Sequence, residues 1–229
     1  MTTAERATVS IWMRPERSAF GRPAQWSRAE ITGIALRVAD AHGLDAVSMR
    51  RVAAELGTGA ASLYRYVETR EDLLDLMTDA TGAEYELTPP TGDWLADLIA
   101  FGEQARAIFR RHRWLAGLVM TRPVIGPNGT GLIEHFLTLL QGHPAAMAAK
   151  MEAFGMLNGI TAAFALQEQA DPDLQARNLA YLGHALTSGG QPGLAALLSP
   201  HAQLPAPEEL ADRYPDLIAR VLTGLLTPA

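Results

Sequence analysis

The stretch SMRRVAAELGTGAASLYRYVETR, residues 48–70, determines how the rest of the chain is interpreted. On both sides of a break at Gly57-Thr58-Gly59, apolar residues recur at the spacing of one helix face. They are Met49, Val52, Ala53 and Leu56 before the break, and Leu63 and Val67 after it. Two short helices joined by a tight turn form a helix-turn-helix, whose second helix enters the major groove of DNA. The segment therefore predicts a DNA-binding protein.

The composition excludes several classes of protein. The 229 residues contain no cysteine, which rules out disulfides, zinc fingers and thiol nucleophiles. No apolar run of about 18 residues is present, and the N-terminus lacks the apolar segment of a signal peptide. We therefore expect a soluble, cytoplasmic protein with no membrane partner.

The charges are unevenly distributed along the chain. The net charge is −6, yet residues 1–70 carry ten arginines against seven acidic residues, a net charge of +3. Residues 71–229 carry nine basic and eighteen acidic residues, a net charge of −9. A basic first part and an acidic remainder are consistent with DNA contact at one end of the molecule.

Capping boxes mark two helix starts in the first third of the chain. Ser27 and Glu30 have the spacing of one box, and Thr69 and Asp72 have the spacing of a second. The first box begins a helix that ends before Gly43, which suits a left-handed helix stop. The second box begins a fourth helix after the helix-turn-helix.

The periodicity also predicts the domain organisation. Residues 1–26 show no sustained period and predict a flexible N-terminal arm. We expect the DNA-binding domain, with its connecting fourth helix, over residues 27–88, and a second domain over residues 89–229. No alternating strand pattern stands out, so the predicted fold class is all-α. The helices expected in the second domain cover roughly 93–111, a short segment ending near 120, 130–142, 144–170, 172–187 and 208–226, the last interrupted by Pro215.

Several fixed positions recur together around the predicted turn. They are Gly43, the run Ser48-Met49-Arg50-Arg51-Val52-Ala53-Ala54-Glu55-Leu56-Gly57, the run Ser62-Leu63-Tyr64-Arg65-Tyr66-Val67, and the pair Leu73-Leu74. Over residues 27–80 this pattern resembles the tetracycline-repressor (TetR) family. The resemblance implies a three-helix DNA-binding domain joined by a fourth helix to a larger helical domain for ligand binding and dimerisation.

The outward face of the second helix of the motif, expected over about 60–66, supplies the candidate base contacts. Leu63 and Val67 point inward, so Ala61, Ser62 and Arg65 point away from the core. Ala60 and Ala61 leave room for the helix to enter the groove. Ser62 can bond a phosphate or a base edge, and Arg65 is the predicted guanine reader.

Other residues are predicted to hold the DNA backbone. The resemblance implies that Tyr64 and Tyr66 anchor phosphates, with packing as the alternative role for Tyr64. Arg50 and Arg70 can clamp the flanking backbone. Arg51 either contacts DNA or lies on a solvated face. Ser48, which caps the helix before the turn, completes the candidate set.

The second domain carries most of the apolar residues. A run of methionine and phenylalanine over residues 147–164 suits an adaptable pocket wall or a helix–helix interface. The resemblance implies both a ligand pocket and a dimer built as a four-helix bundle, for which we propose 147–168 and 214–226. The candidate pocket residues are Phe101, Phe109, Trp114, Leu118, Met120, Phe136, Met151, Phe154, Asn158 and Gln167. For Asn158 we favour a helix–helix hydrogen bond over a ligand contact.

The sequence also departs from the tetracycline-binding members of the family. Thr121-Arg122-Pro123 and the segment 166–169 resemble the tetracycline-repressor-like C-terminal domain. In tetracycline-binding members, a metal-binding histidine lies three residues before Thr-Arg-Pro, where this chain has Leu118. The metal-linked glutamate corresponds to Gln167. We therefore expect no metal site and no cofactor.

Together these features predict a ligand-responsive transcriptional repressor. A homodimer is expected to bind a palindromic double-stranded DNA operator and to be released by an apolar small-molecule effector. An activator of the same fold and an architectural DNA-binding protein without an inducer are the alternatives, although the net acidity disfavours the second. An enzyme is not expected, because the chain has no G-x-S-x-G, no H-E-x-x-H and no phosphate-binding loop.

Overall fold

The computed structural model describes residues 9–16, 25–187 and 213–227, and these contain helices but no strand. The all-α prediction is therefore confirmed. The α-helices are α1 Arg28–His42, α2 Met49–Glu55, α3 Ala60–Leu63, α4 Arg70–Thr81, α5 Trp94–Arg111, α6 Leu115–Thr121, α7 Pro127–Leu139, α8 Met147–Glu168, α9 Pro172–Thr187 and α10 Tyr214–Leu226. Single 3₁₀ turns cover Ile11–Met13, Leu44–Ala46 and Gly82–Glu84. Among these helices, none is long and apolar enough to cross a membrane.

Both predicted capping boxes are present. The Ser27 hydroxyl accepts from the Glu30 backbone N–H, and the Glu30 carboxylate accepts from the Ser27 backbone N–H at 2.7 Å. Thr69 and Asp72 make the same reciprocal pair at the start of α4. Gly43 ends α1 at a φ of 81°, in the region that favours glycine. The local sequence therefore sets where these helices begin and where α1 ends.

The turn of the helix-turn-helix is built on Gly57, whose φ is 67°. The Thr58 N–H donates to the Ala53 carbonyl at 2.9 Å across this turn, which satisfies an end carbonyl of α2. The following helix α3 is shorter than the predicted 60–66. It ends at Leu63, and the N–H groups of Tyr66 and Val67 then both donate to the Leu63 carbonyl, at 2.8 and 3.0 Å.

Helices α1–α4, which we call the head, share one hydrophobic core. Ile31, Val52, Leu63, Val67 and Leu73 are all completely buried in it. Burial of Leu63 and Val67 confirms the inward face predicted for the second helix of the motif. The opposite side of α3 is thereby fixed toward solvent.

We call helices α5–α8 and α10 the body, and residues of α5, α7, α8 and α10 share a core with Tyr214. The Tyr214 hydroxyl bonds the Thr161 hydroxyl at 2.6 Å, and burial raises the pKa of Tyr214 to about 12. The prediction that Pro215 interrupts the last helix is wrong, because Pro215 lies in the first turn of α10. A proline fits there because the N–H groups of a first turn have no partner within the helix. Residues 208–212 lie outside the described residues.

Residues 9–16, which we call the N-terminal strap, contradict the prediction of a flexible arm. Ile11 is 1% exposed and belongs to the core of the head. The Arg28 guanidinium donates to the carbonyls of Ile11 at 2.8 Å and Arg14 at 3.0 Å. The prediction is wrong because it relies on helical periodicity, and a segment held through its backbone carbonyls does not need a periodic pattern of apolar residues. Residues 1–8 and 17–24, also assigned to the arm, lie outside the described residues.

Candidate functional site

The surface around α3 presents a small set of polar and aromatic side chains to solvent. Ala61, Arg65 and Arg50 are exposed, and Tyr64 is 51% exposed. Neither arginine takes part in an ion pair with any residue that the structure describes. Ala60 and Ser62 are half-buried beside them, at the start of the helix. These side chains form one surface with free donors, which we call the α3 surface.

Tyr66 and Arg70 lie elsewhere than predicted. Tyr66 is 8% exposed, and its hydroxyl accepts from the Trp26 backbone N–H at 3.4 Å, so it packs behind α3 and does not face a phosphate. Arg70 donates from Nε to the Val47 carbonyl at 2.9 Å and from Nη2 to the Leu44 carbonyl at 3.1 Å. Both residues support the head from within, because the chain turns inward after α3.

Arg51 and Ser48 are occupied by local contacts. Arg51 pairs with Glu55 one turn along α2, at 3.0 Å, on an exposed face. This is the solvated-face alternative considered for Arg51. The Ser48 hydroxyl accepts from the Arg51 backbone N–H at 3.2 Å and so caps α2, as predicted.

The body contains a cavity of about 440 Å³ between α4, α5, α6, α7 and α8. Its wall is mainly apolar, with Met120 and Ile125 more than half exposed at the mouth. The lining residues are Thr78, Asp79, Thr81, Gly82, Tyr85, Ile108, Phe109, Leu115, Val119, Met120, Pro123, Val124, Ile125, Gly129, Leu132, Ile133, Phe154, Gly155, Asn158 and Gly159. The space is large enough for a small organic molecule.

Four of the ten predicted pocket residues line this cavity: Phe109, Met120, Phe154 and Asn158. The Asn158 amide donates to the Phe154 carbonyl of its own helix at 2.9 Å, so the favoured helix–helix bond is wrong. The other six residues lie elsewhere. Phe101, Phe136 and Leu118 are buried in the core, Trp114 bonds Asp40, and Met151 and Gln167 are exposed on α8. The prediction of these six residues rests on their apolar character or their position along α8, and neither property determines whether a side chain faces the cavity, the core or solvent.

Tyr85 is the cavity residue that sequence reasoning most clearly missed. Its ring packs on Phe101 with the centroids 5.1 Å apart. Burial raises the pKa of the Tyr85 hydroxyl, so the group remains a protonated donor at neutral pH. No hydrogen bond within the described residues involves this hydroxyl. No motif marks the residue, since it follows α4 in a turn that only the folded chain places against α5.

Three aspartates on one face of α4 connect the head to the cavity. Asp75 accepts from Arg122 Nε at 2.8 Å, at the start of the loop 122–126. Asp79 accepts from the backbone N–H groups of Asn128 at 3.3 Å and Gly129 at 2.9 Å, at the N-terminus of α7. Negative charge is favourable at that helix end. The third, Asp72, pairs with Arg14 of the strap.

A buried histidine makes a second connection between head and body. His112, which follows α5, has Nδ1 at 2.7 Å from Asp40 of α1 and Nε2 at 2.7 Å from Glu84. Trp114 Nε1 donates to the same Asp40 oxygen at 2.7 Å. His112 is 5% exposed and is not among the residues that line the cavity, so it joins head and body internally. Across the described ranges, no group of three or more histidine, aspartate or glutamate side chains has the arrangement of a metal site.

Comparisons with known proteins agree with this architecture. Residues 31–77 match the family model "Bacterial regulatory proteins, tetR family", and residues 88–227 match "Tetracyclin repressor-like, C-terminal domain". The HTH-type transcriptional repressor DrrR1 of Streptomyces coeruleorubidus is 34% identical over 205 residues, covering 84% of this chain and 76% of the relative.

Solved structures of ActR from Streptomyces coelicolor are also similar. Apo ActR is 33% identical, with a TM-score of 0.74 over 90% of this chain and 97% of that chain. ActR in complex with actinorhodin is 33% identical, with a TM-score of 0.73 over 89% of this chain and 98% of that chain. Both comparisons extend over the head and the body together.

Proposed function

This chain belongs to the tetR family of bacterial regulatory proteins, and we propose that it is a repressor that binds a palindromic operator as a homodimer and is released by an uncharged, largely apolar effector. A member of this family is a DNA-binding regulator of transcription and not an enzyme. The functional division proposed here assigns DNA binding to residues 27–88, and effector binding and dimerisation to residues 89–229.

The observation that carries the DNA-binding proposal is the α3 surface. The buried side chain of Leu63 orients α3, so Ala61, Tyr64 and Arg65 face outward together. Small residues at the start of α3 permit a close approach to base edges, and Arg65 is suited to guanine. Tyr64 and Arg50 supply donors for the phosphates on either side.

The dimer proposal rests on α8. Met147, Met151, Met156 and Leu166 are between 38% and 60% exposed along this helix. A long helix that leaves several large apolar residues in solvent is typical of a protein–protein interface. Pairing of α8 and α10 with the same helices of a second copy would cover them. A two-fold dimer also presents two copies of α3 to DNA, as half-sites about 34 Å apart require.

The cavity indicates the chemistry of the effector. The one charged residue in its lining, Asp79, has both carboxylate oxygens bonded at the start of α7, so no charged group is left to pair with an ion. The Tyr85 hydroxyl is a donor without a partner in the described chain, which suits a carbonyl oxygen. The similar protein ActR has been solved with actinorhodin and with (S)-DNPA. The apolar lining and the Tyr85 hydroxyl support an uncharged molecule with a hydrogen-bond acceptor.

The DNA-binding proposal is tested by fluorescence anisotropy on the DNA flanking the gene, with excess bulk DNA as competitor. The double variant Arg50→Ala/Tyr64→Ala loses two backbone contacts of about 1 kcal/mol each in every subunit, which corresponds to about 30-fold weaker binding per half-site and about 1000-fold weaker binding of the dimer. Both side chains are exposed, so helicity should be unchanged. Arg177→Ala, which removes one exposed positive charge from α9, is the control and should bind like the wild type. Equal affinities for the double variant and the wild type would contradict the proposal.

The effector proposal is tested with Nile red, an uncharged aromatic dye that carries a ring carbonyl. Its fluorescence should rise on entering the cavity, and Tyr85→Phe should weaken its binding about 3–10-fold through loss of one hydrogen bond. Val119→Trp fills part of the cavity and serves as the blocking control. Undiminished dye binding by the blocking variant would show that the dye occupies another place.

A further inference from the structure

The N-terminal strap is fixed at both of its ends to the head. Arg28 donates to the backbone carbonyls of Ile11 and Arg14, and its own backbone N–H donates to the Glu16 carboxylate at 2.7 Å. Arg14 is paired with Asp72 and, at 3.3 Å, with Glu68. The strap must therefore move with α1 and with the first turn of α4.

The middle of the strap touches the body through Trp12. A Cβ at Gly126 would lie 2.5 Å from Trp12 Cζ2 and 2.5 Å from Asp79 Oδ1, so the indole edge and the carboxylate fill the space above this glycine. Glycine is required there for close packing and not for its backbone angle, since the φ of Gly126 is −116°. Trp12, Asp79 and Gly126 thus form one joint between strap, α4 and body.

Gly126 ends the loop 122–126, which we call the rim. Pro123, Val124 and Ile125 of the rim line the cavity, and Ile125 is 64% exposed at its mouth. The rim is held at its start by the Arg122–Asp75 pair and at its end by Asp79 and Trp12. One wall of the cavity therefore rests on the strap as well as on α4.

We propose that Trp12 is a positioning residue of the effector cavity, which holds the rim closed against α4 and transmits displacement of the rim to the head. This inference rests on the proposed function, because it assigns the cavity to an effector. Filling the cavity pushes on Val124 and Ile125, which moves Gly126 against the indole. Ile11, next to Trp12, is buried in the core of the head. The displacement therefore reaches the DNA-binding helices through the strap, in addition to the route through α4.

The positioning role is tested first without any effector, by hydrogen exchange on the full-length protein. In Trp12→Ala, the amides of the rim and of Asn128 and Gly129 should exchange at least about fivefold faster, while those of α10 are unchanged. Trp12→Phe keeps an aromatic ring in the joint and should restore most of the protection. Met13→Ala is the matched control, since Met13 is 79% exposed on the same strap.

Two results of the exchange experiment would overturn the proposal. One is wild-type exchange of the rim in folded Trp12→Ala. The other is faster exchange spread evenly over α1–α4, because Trp12 would then merely stabilise the head. If Trp12→Ala does not fold, Gly126→Ala takes its place, since the added Cβ must displace the indole or the carboxylate. Wild-type rim exchange in that variant would overturn the proposal equally.

The second test separates effector binding from DNA binding. Trp12→Ala should bind Nile red at least about fivefold more weakly than the wild type, yet bind the operator without dye within about twofold of the wild type. The ratio of the operator affinity without dye to the affinity with saturating dye should fall toward one. Unchanged dye affinity and an unchanged ratio would refute the role of Trp12. Failure of the wild type to bind dye would refute the proposed effector chemistry and leave the exchange result to decide the role of Trp12.

Discussion

Replacing His112 with leucine should lower the free energy of unfolding by about 1.5–3 kcal/mol. Its two ring nitrogens lie 2.7 Å from carboxylate oxygens of Asp40 and Glu84, and hydrogen bonds to charged groups contribute about 1.5–3 kcal/mol each. Leucine regains about 1.5–3 kcal/mol by filling the buried site. The carboxylates keep other donors, because Asp40 still bonds Trp114 and Glu84 still pairs with Arg111. The net loss is therefore smaller than the sum of the two bonds.

Thermal unfolding followed by circular dichroism measures this loss. A change of about 1.5–3 kcal/mol in a chain of this size lowers Tm by about 3–12 °C. A double-mutant cycle with Glu84→Gln should give a coupling energy of about 1–3 kcal/mol. His42→Leu is the control, because His42 is exposed on α1, and it should stay within about 0.5 kcal/mol of the wild type. If the effects of His112→Leu and Glu84→Gln on the free energy of unfolding add within about 0.3 kcal/mol, the two residues do not stabilise each other and the predicted coupling is refuted.

Three further substitutions test the turn and the ion pairs of Glu168 by chemical denaturation. Gly57→Ala should lower the free energy of unfolding by about 1–2 kcal/mol, because the φ of Gly57 is 67°. Gly33 lies in open space within α1, so Gly33→Ala should raise the free energy of unfolding by about 0.5–1 kcal/mol. Equal effects of the two substitutions would contradict the argument from backbone conformation. Burial opposes ionisation of Glu168, but hydrogen bonds from Arg110 and Arg106 outweigh it and lower its pKa. Glu168→Gln should therefore lower the free energy of unfolding by about 1–3 kcal/mol at neutral pH. The difference in stability between this variant and the wild type should shrink as the pH falls below about 4.5. A difference in stability that does not depend on pH would contradict the contribution of these ion pairs.

The features that sequence predicted well are those decided within a few residues. Ser27 and Thr69 bond backbone groups three residues away, and Gly43 and Gly57 adopt the backbone angles that their neighbours require. The burial of Leu63 follows from helical spacing alone. Such contacts depend on local geometry, which the order of residue types already specifies.

The features that sequence missed depend on contacts between distant segments. Tyr66 has the same chemistry as Tyr64, and only the turn after α3 sends one ring inward and leaves the other 51% exposed. Phe101 and Phe109 lie on the same helix, yet one faces the core around Tyr214 and the other faces the cavity. The strap has no periodic pattern, because Arg28 holds it through main-chain carbonyls. In each case the deciding partner lies in another part of the chain.

Helix α4 belongs to the head and also forms a wall of the cavity, which limits what the proposed mechanism of release has to explain. Its first residue, Arg70, is bonded to the turn before α2, and its last turn, from Thr78 to Thr81, forms a wall of the cavity. Twelve residues span about 18 Å, so a tilt of about 5° displaces one end by about 1.5 Å. A coupling of about 1–3 kcal/mol changes affinity about 5–150-fold. Because the same helix contacts the cavity and the head, the proposed release needs only that α4 moves as one rigid unit: a displacement of its last turn would then displace the helices of the head, and the proposed role of Trp12 adds a second connection to the same movement.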